Sequence, residues 1–400
     1  MRKISAFLAI LLFVITTTSA LASSHWQSMT TQQGPLTFGS YASFNDSYTQ
    51  CVGSNGSYYW TGIFQTFARA YYAPCRTQML ADIDFLGQHN VKSIRLWPVL
   101  STFAYNNNTK TWGNLNSNIT NLDEVLAELA KYHMQAYLTL MSPPDCSDPP
   151  ETTTLLGNYF NPDLINNTAT QDHFTQALRA FITRYKNNTA ISAYDLVNEA
   201  TFILDNPPTN SSQGYCNLPY DLGNFTKTKA LFARMYHTAT NIDKLHRFTF
   251  SFTQPYAMNS PMQNAFANIV DFYDVDAYSL DPGTFYSNFP TYDKPVIDGE
   301  VGIPGTQYDA NGNDCEGIGS NYYKNILPAM APECQQMWLA NAQAFVSSAQ
   351  QHHVQALFFH QWSVSKAYGV HLYDSNNHLT GYQLTTAGQY IMSLAQGSSS

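Results

Sequence analysis

Charge is what this 400-residue chain lacks most: Asp, Glu, Lys and Arg together make up 12% of it, about half the usual share. Lys and Arg number 19 against 28 acids, and no basic run interrupts the sequence. Phosphate backbones are gripped by clustered Lys and Arg, so nucleic acid is not an expected partner. The surface must be wetted by Asn, Ser, Thr, Gln and Tyr instead. With few carboxylate ion pairs to lose, it should change little as pH falls. Beyond the N-terminus, no segment approaches the ~20 uninterrupted apolar residues that cross a bilayer. No C-x-x-C pair marks a zinc or redox motif, and no Gly-x-Ser-x-Gly elbow marks a serine hydrolase. No Gly-rich turn follows the first strand-like run, as a dinucleotide site requires, and no His and carboxylate cluster has metal-ligand spacing. Neither a cofactor nor a metal is expected.

Apolar residues, at 44%, are sufficient for a large core. The N-terminus has the layout of an export signal: basic Arg2 and Lys3, an apolar run from Ala6 to Ile15, and the small-x-small site Ala20-Leu21-Ala22. That run is too short for an anchor. Cleavage after Ala22 leaves residues 23–400 as one domain, expected to be secreted to the extracellular space, free of the membrane, and monomeric. Six cysteines, an even number, fit disulfide formation outside the cell. Their connectivity is not legible; local pairing would join 51–75, 146–216 and 315–334. Eight N-x-S/T sequons, at Asn45, Asn55, Asn107, Asn118, Asn166, Asn187, Asn210 and Asn224, are candidate glycosylation sites. An Asn-, Ser- and Thr-rich chain supplies most of that number by chance.

From residue 36 onward, strand-like and helix-like segments alternate. Eight short apolar or β-branched runs read as strands: Leu36–Phe44, Val91–Leu100, Met134–Met141, Ile191–Asn198, Arg247–Thr253, Ile269–Tyr278, Pro295–Glu300 and Val354–Trp362. Between them lie i, i+3, i+4, i+7 patterns. Leu122, Val125, Leu126 and Leu129 form one, with Asn121 as its expected cap. Phe174 to Tyr185, Leu231 to Ile242 and Trp338 to Val346 form others. Such alternation implies parallel strands with crossover helices, and eight units in this length imply a closed (β/α)8 TIM barrel in the α/β class. The segments after strands are long and rich in Tyr, Asn, Pro and Cys, while those before strands are short. In a barrel the long ones all rise on the C-terminal face, which carries the site.

Two carboxylates stand at strand tips. Glu199 follows Ile191–Asn198, and Glu300 ends Pro295–Glu300. Burying a charge at the end of an apolar strand is costly without a purpose. Strands four and seven lie on roughly opposite sides of an eight-stranded barrel, so the two tips can face each other across its mouth. A facing pair of carboxylates suits glycosidic bond cleavage, where one protonates the leaving oxygen and the other attacks the anomeric carbon. A gap of ~5–5.5 Å goes with retention and ~6.5–9.5 Å with inversion; the short gap is expected here.

These motifs resemble a known family. Asp195-Leu196-Val197-Asn198-Glu199 is similar to the Asn-Glu motif after strand four of clan A glycoside hydrolases. Lys294-Pro295-Val296-Ile297-Asp298-Gly299-Glu300-Val301-Gly302 resembles their strand-seven motif in its family 5 form, the cellulase and mannanase family. Ile94-Arg95-Leu96-Trp97-Pro98 looks like the strand-two Arg segment, Tyr278 like the strand-six Tyr, and Trp362 like the strand-eight Trp. The resemblance spans about residues 36 to 365. It implies Glu199 as acid/base and Glu300 as nucleophile, supported by Arg95 and Tyr278. It further implies Asn198 on the sugar 2-hydroxyl, with Trp97 and Trp362 against the sugar. The chain departs from the pattern at Asp276, a candidate supporting residue where the family carries His, at Leu140-Met141-Ser142, and at Ala200 after Asn-Glu.

The resemblance implies a retaining hydrolase of β-linked polysaccharide, a β-glucan or β-mannan, with a poly- or oligosaccharide as partner. An exo-acting β-glycosidase would need loops closing one end of the cleft. A non-catalytic carbohydrate-binding barrel would have no need of both glutamates with Arg95 and Tyr278.

Overall fold

The computed structural model describes residues 43–46, 49–52, 58–61, 73–96, 103–106, 111–114, 116–141, 163–200, 225–253, 265–287, 293–303, 315, 331–360, 362, 368–376 and 378–397. The export-signal segment, Trp97, Cys146, Cys216 and the side chains of Cys51 and Cys75 lie outside them.

The barrel strands are Ser43–Asp46 (β1), Ser93–Leu96 (β2), Gln135–Thr139 (β3), Ile191–Asp195 (β4), a β5 split into Arg247–Thr249 and Ser251–Thr253, Tyr273–Tyr278 (β6), Val296–Gly302 (β7) and Leu357–His360 (β8). Every neighbouring pair is parallel, in the order β5-β6-β7-β8-β1-β2-β3-β4-β5. The ring closes through β5. Its first part pairs with β4 (Asp195↔Thr249) and its second with β6 (Ser251↔Asp274), with only Phe250 between them. All eight expected strands are present. Their bounds differ from the apolar runs at the ends: β1 shares only Ser43 and Phe44 with its run and continues to Asp46, and β7 continues past Glu300 to Gly302.

Helices follow the strands: Ala73–Gln88 (α1), Asn116–Lys131 (α2), Asp163–Asn166 (α3), Thr168–Tyr185 (α4), Phe225–Ile242 (α5), Pro282–Ser287 (α6), Pro332–Gln351 (α7) and Thr386–Gly397 (α8). The α4 helix shows why its sequence folds as it does. The Asn167 side chain accepts from the Ala169 and Thr170 amides at the N-terminus, satisfying donors a helix leaves open. Phe174, Leu178, Phe181, Ile182 and Tyr185 then recur at helical spacing and are all buried. Asn121 is not a cap: α2 begins five residues earlier, at Asn116, and Asn121 lies inside it.

Two pieces carry no strong signal in the sequence. One is α1, whose buried face mixes Met79, Ile83 and Leu86 with Gln78 and Asp82. The other is an antiparallel hairpin, Gly369–Tyr373 (β9) with Leu379–Leu384 (β10). They explain each other. His371 on β9 meets Asp82 through Nε2 at 2.8 Å and Gln78 through Nδ1 at 3.3 Å, and the Tyr382 hydroxyl of β10 donates to Asp82 at 2.7 Å. A buried polar lock therefore interrupts the apolar stripe of α1.

Cys315 and Cys334 are disulfide-bonded with Cα atoms 5.3 Å apart, as local pairing requires. The bond fixes the connection after β7 to the first turn of α7.

Candidate active site

Arg95, on β2, is fully buried and is the only buried Lys or Arg among the described residues. Its side chain enters the barrel and divides its donors between strands. Nη1 donates to Glu300 Oε1 at 2.5 Å and to the Gly299 carbonyl at 3.3 Å. Nη2 donates to Asp195 Oδ2 at 2.8 Å and Asn198 Oδ1 at 2.6 Å. Below it sits the Tyr137 ring, 5.4 Å from the guanidinium carbon, whose hydroxyl donates to Asp274. Burial lowers the Arg95 pKa, but Asp276, Glu300, Asp274 and Asp195 outweigh it and hold the guanidinium charged.

Glu300 points inward because β7 is bulged. Val275 of β6 is opposite Asp298, and the next residue, Asp276, is already opposite Glu300, so Gly299 is the extra residue. Alternation along a strand would give Asp298 and Glu300 the same direction. The bulge reverses it. Asp298 turns outward, where the Tyr286 hydroxyl of α6 donates to it at 2.6 Å, and Glu300 turns in. Only glycine fits the bulge, since a Cβ there would lie 2.6 Å from a carboxylate oxygen of Asp274. Tyr278 donates to Glu300 Oε2 at 2.7 Å. It is made room for by Gly302, where a Cβ would stand 2.9 Å from its ring. Burial pushes the Glu300 carboxyl up, but Arg95, His360 and the Tyr278 hydroxyl hold it below the usual value. Glu300 is thus held as an anion.

Glu199 follows β4 in a left-handed turn, φ 45°. A non-glycine residue adopts this conformation only where the surroundings enforce it. Here they do. The Asn198 amide donates to the Met141 carbonyl at 2.6 Å, the Glu199 amide to Ser251 Oγ at 2.7 Å, and the Ala200 amide to the Ser251 carbonyl at 2.8 Å. Strands β3 and β5 thereby clamp the turn from both sides. Asn198 Oδ1 is occupied by Arg95, which leaves its amino group as the donor.

The two tips meet. One carboxylate oxygen from each of Glu199, Asp276 and Glu300 lies within 4.8 Å of the others, all three side chains being buried. That is close enough for a shared cation, yet both oxygens of Glu300 already accept from Arg95 and Tyr278. The donor set therefore fits a protonated cluster better than a metal. His360 of β8 stands beside it, Nδ1 being 3.9 Å from Glu300 Oε2; burial pushes its pKa down to about 4, so it is neutral near pH 7.

Arg95, Asn198, Glu199, Asp276, Tyr278 and Glu300 are therefore gathered at one place. Trp362 is not with them. It is 1% exposed, stacked on Phe85 of α1 at 5.5 Å and edge-on to Phe44 at 5.1 Å, with Gly369 directly behind it. It packs the barrel against α1 and has no open face for a sugar; His360 takes the inward position on β8. Asp195, Asp274, Ser251 and Tyr137 complete the setting. Asp195 and Asp274 had a legible signal, each being an acid at every-second-residue spacing from an inward residue of a buried strand. Ser251 and Tyr137 had none.

Buried acids give the fold a pH dependence. Burial pushes Asp274 up to about 8 from 3.8, against Arg95, and pushes Asp276 and Asp298 up as well. Between pH 3.8 and 8 the folded chain holds protons that the unfolded chain has released, so this stabilisation is full at low pH and lost as pH rises. His360, lowered from 6.5 to about 4, acts with the opposite sign, but only below pH 6.5. The melting temperature should therefore fall from pH 6.5 to 8, and Asp274→Asn should flatten that fall. A melting temperature that rises over this window would contradict the assignment.

These features define a class: a closed parallel (β/α)8 barrel with a carboxylate pair and a buried arginine at the C-terminal ends of its strands. Neither a protein-family model nor a curated protein matches the sequence. Solved structures match in fold. A β-glucosidase from Thermotoga maritima in complex with deoxynojirimycin matches with a TM-score of 0.56 at 11% identity, over 92% of this chain and 99% of that one. An exo-β-1,4-mannosidase from Opitutaceae bacterium strain TAV5 gives 0.56 at 10%, over 89% and 59%. A β-mannanase from the blue mussel Mytilus edulis gives 0.50 at 14%, over 78% and 91%. At such identities the likeness is one of fold: this chain shares the (β/α)8 barrel of these glycoside hydrolases.

Proposed function

We propose that this chain is a secreted, retaining β-glycoside hydrolase in which Glu300 is the nucleophile and Glu199 the acid/base. The observation that carries the reading is the pair itself. Two glutamates from opposed strand tips bring one carboxylate oxygen each within 4.8 Å of the other, and so close a pair favours double displacement, which goes with carboxyl groups ~5–5.5 Å apart. They are also chemically unequal. Arg95 and Tyr278 both stabilise charge on Glu300, and an ionised Glu300 favours a proton on its neighbour.

In the first step the Glu300 carboxylate attacks the anomeric carbon while the glycosidic carbon–oxygen bond breaks. The electron pair leaves with the sugar oxygen, which takes the Glu199 proton. In the second, Glu199 removes a proton from water, the resulting hydroxide oxygen bonds to the anomeric carbon, and Glu300 departs as carboxylate. Two inversions restore the β configuration. The free amino group of Asn198 is the donor for the sugar 2-hydroxyl, a contact that strengthens at the transition state.

The substrate is read as a β-linked polysaccharide, a β-glucan or β-mannan, cut internally. Exo action is the second reading, since an exo-β-1,4-mannosidase is among the fold neighbours. A reducing-sugar assay over β-glucans, mannans, xylans and aryl β-glycosides tests the reading. Early products of several sizes support endo action, and release of one sugar from a chain end supports exo action. No hydrolysis of any of them would overturn the proposal.

A further inference from the structure

One buried acid has no explanation within the fold. Asp276, on β6, is 1% exposed, and neither of its carboxylate oxygens has a hydrogen-bond partner among the described residues. The other aspartates around it each have at least one hydrogen-bond donor. Asp195 accepts from Arg95, Thr139 and the Ser251 amide. Asp274 accepts from Tyr137, and Asp298 from Tyr286 and the Ala277 amide. A buried polar group left open in this way marks a place for a partner that is not part of the chain. The Asp276 carboxyl converges on the same point as those of Glu199 and Glu300, within 4.8 Å of each.

The charges that face Asp276 decide its form. From β2 comes Arg95, at 3.6 Å, whose Nη1 is already committed to Glu300 and the Gly299 carbonyl. From its own strand come Asp274 and the Tyr278 hydroxyl, from β7 Glu300, and from the end of β4 Glu199. His360 of β8 stands 3.9 Å from Glu300 Oε2 and is neutral near pH 7. One guanidinium thus confronts several acids, and it is spent on Glu300 and Asp195.

We propose that Asp276 carries a proton at neutral pH and, as a neutral carboxylic acid, serves as a donor–acceptor pair for a hydroxyl of the sugar held between Glu199 and Glu300. The role of the sugar rests on the function proposed above; the protonation of Asp276 does not. A carboxylate can only accept hydrogen bonds, whereas a carboxylic acid donates one and accepts one, and a hydroxyl group matches it in both. Burial, Glu300, Asp274 and Glu199 all push the Asp276 pKa well above the ordinary value, against Arg95 alone.

Asp276→Asn and Asp276→Ala separate the possibilities. The amide keeps a donor and an acceptor with no charge, so its kcat should stay about tenfold or more above that of the alanine variant, and the acid limb of its pH–rate profile should stay in place. The alanine variant loses both, and its kcat should fall by about tenfold or more. If Asp276→Asn moves the acid limb of the profile by about one pH unit or more, Asp276 acts as an anion and the proposal is wrong. Wild-type kcat in Asp276→Ala would also overturn it. Infrared difference spectroscopy on the unliganded protein at pH 7 reads the proton directly. Subtracting Asp276→Asn from the unaltered chain should leave a carboxylic-acid carbonyl band that shifts in heavy water, the Asp274 contribution cancelling. Absence of that band refutes the protonation whether or not the chain cleaves glycosides. The band also decides the matter if the alanine variant does not fold.

Discussion

Glu300→Ala should lower turnover on a natural β-linked substrate by on the order of 10⁴-fold or more. Glu300 is the side chain on which Arg95 and Tyr278 both converge, and no other described carboxylate has that pair of donors. Azide entering the vacated space should restore hydrolysis of an activated aryl β-glycoside and yield a glycosyl azide of inverted configuration. Glu199→Ala should behave differently. Its loss on natural substrates should be about 10²–10⁴-fold, the range of general acid catalysis. With a leaving group that needs no proton, the first step survives and the second stalls, because water has no base. Azide then rescues with retained configuration. Swapped stereochemistry in the two rescued variants would reverse the assignment of the two glutamates.

Arg95→Met should cost both stability and reactivity. The guanidinium lies within 2.8 Å of carboxylates from β4 and β7 at once, with Asp276 at 3.6 Å. Removing it leaves buried acids without a cation, a loss of about 3–5 kcal/mol for a buried pair broken on one side. Urea unfolding at pH 7 measures it. The sign on catalysis follows from the same contacts. Glu300 is held low by Arg95 against burial, so without Arg95 it must ionise at higher pH. The acid limb of kcat/KM should then move up by about 1–3 pH units. Arg95→Lys should recover only part of the loss, because an ammonium is a point charge and cannot fork between Glu300, Asp195 and Asn198. An acid limb that stays in place in Arg95→Met would remove Arg95 from the support of Glu300.

The barrel was readable because its strands are buried on both faces and so appear as short apolar runs, separated by helices whose buried faces repeat at 3.6 residues. Glu199 and Glu300 were readable because a charge at the end of such a run is rare. The bulge that aims Glu300 was not, since Gly299 gives no sign of its register until β6 is laid beside it. Nor was α1, whose apolar stripe is broken by Gln78 and Asp82 for the sake of a hairpin about 290 residues away. Trp362 was misplaced for a related reason. A strand-end tryptophan satisfies a motif in sequence, but the chain leaves β8 at His360, and the ring that follows turns outward onto Phe85. Asp276 was noticed only as a departure from a family pattern. Its missing partners emerged once each neighbouring aspartate had been supplied with a donor of its own.

The most direct measurement is the anomeric configuration of the first product, followed by proton NMR during hydrolysis of a β-linked oligosaccharide by the unaltered protein. Two displacements through Glu300 require that the β anomer appear first and mutarotate afterwards. An α anomer at the earliest times would mean a single displacement by water, and Glu300 would then be a base rather than a nucleophile.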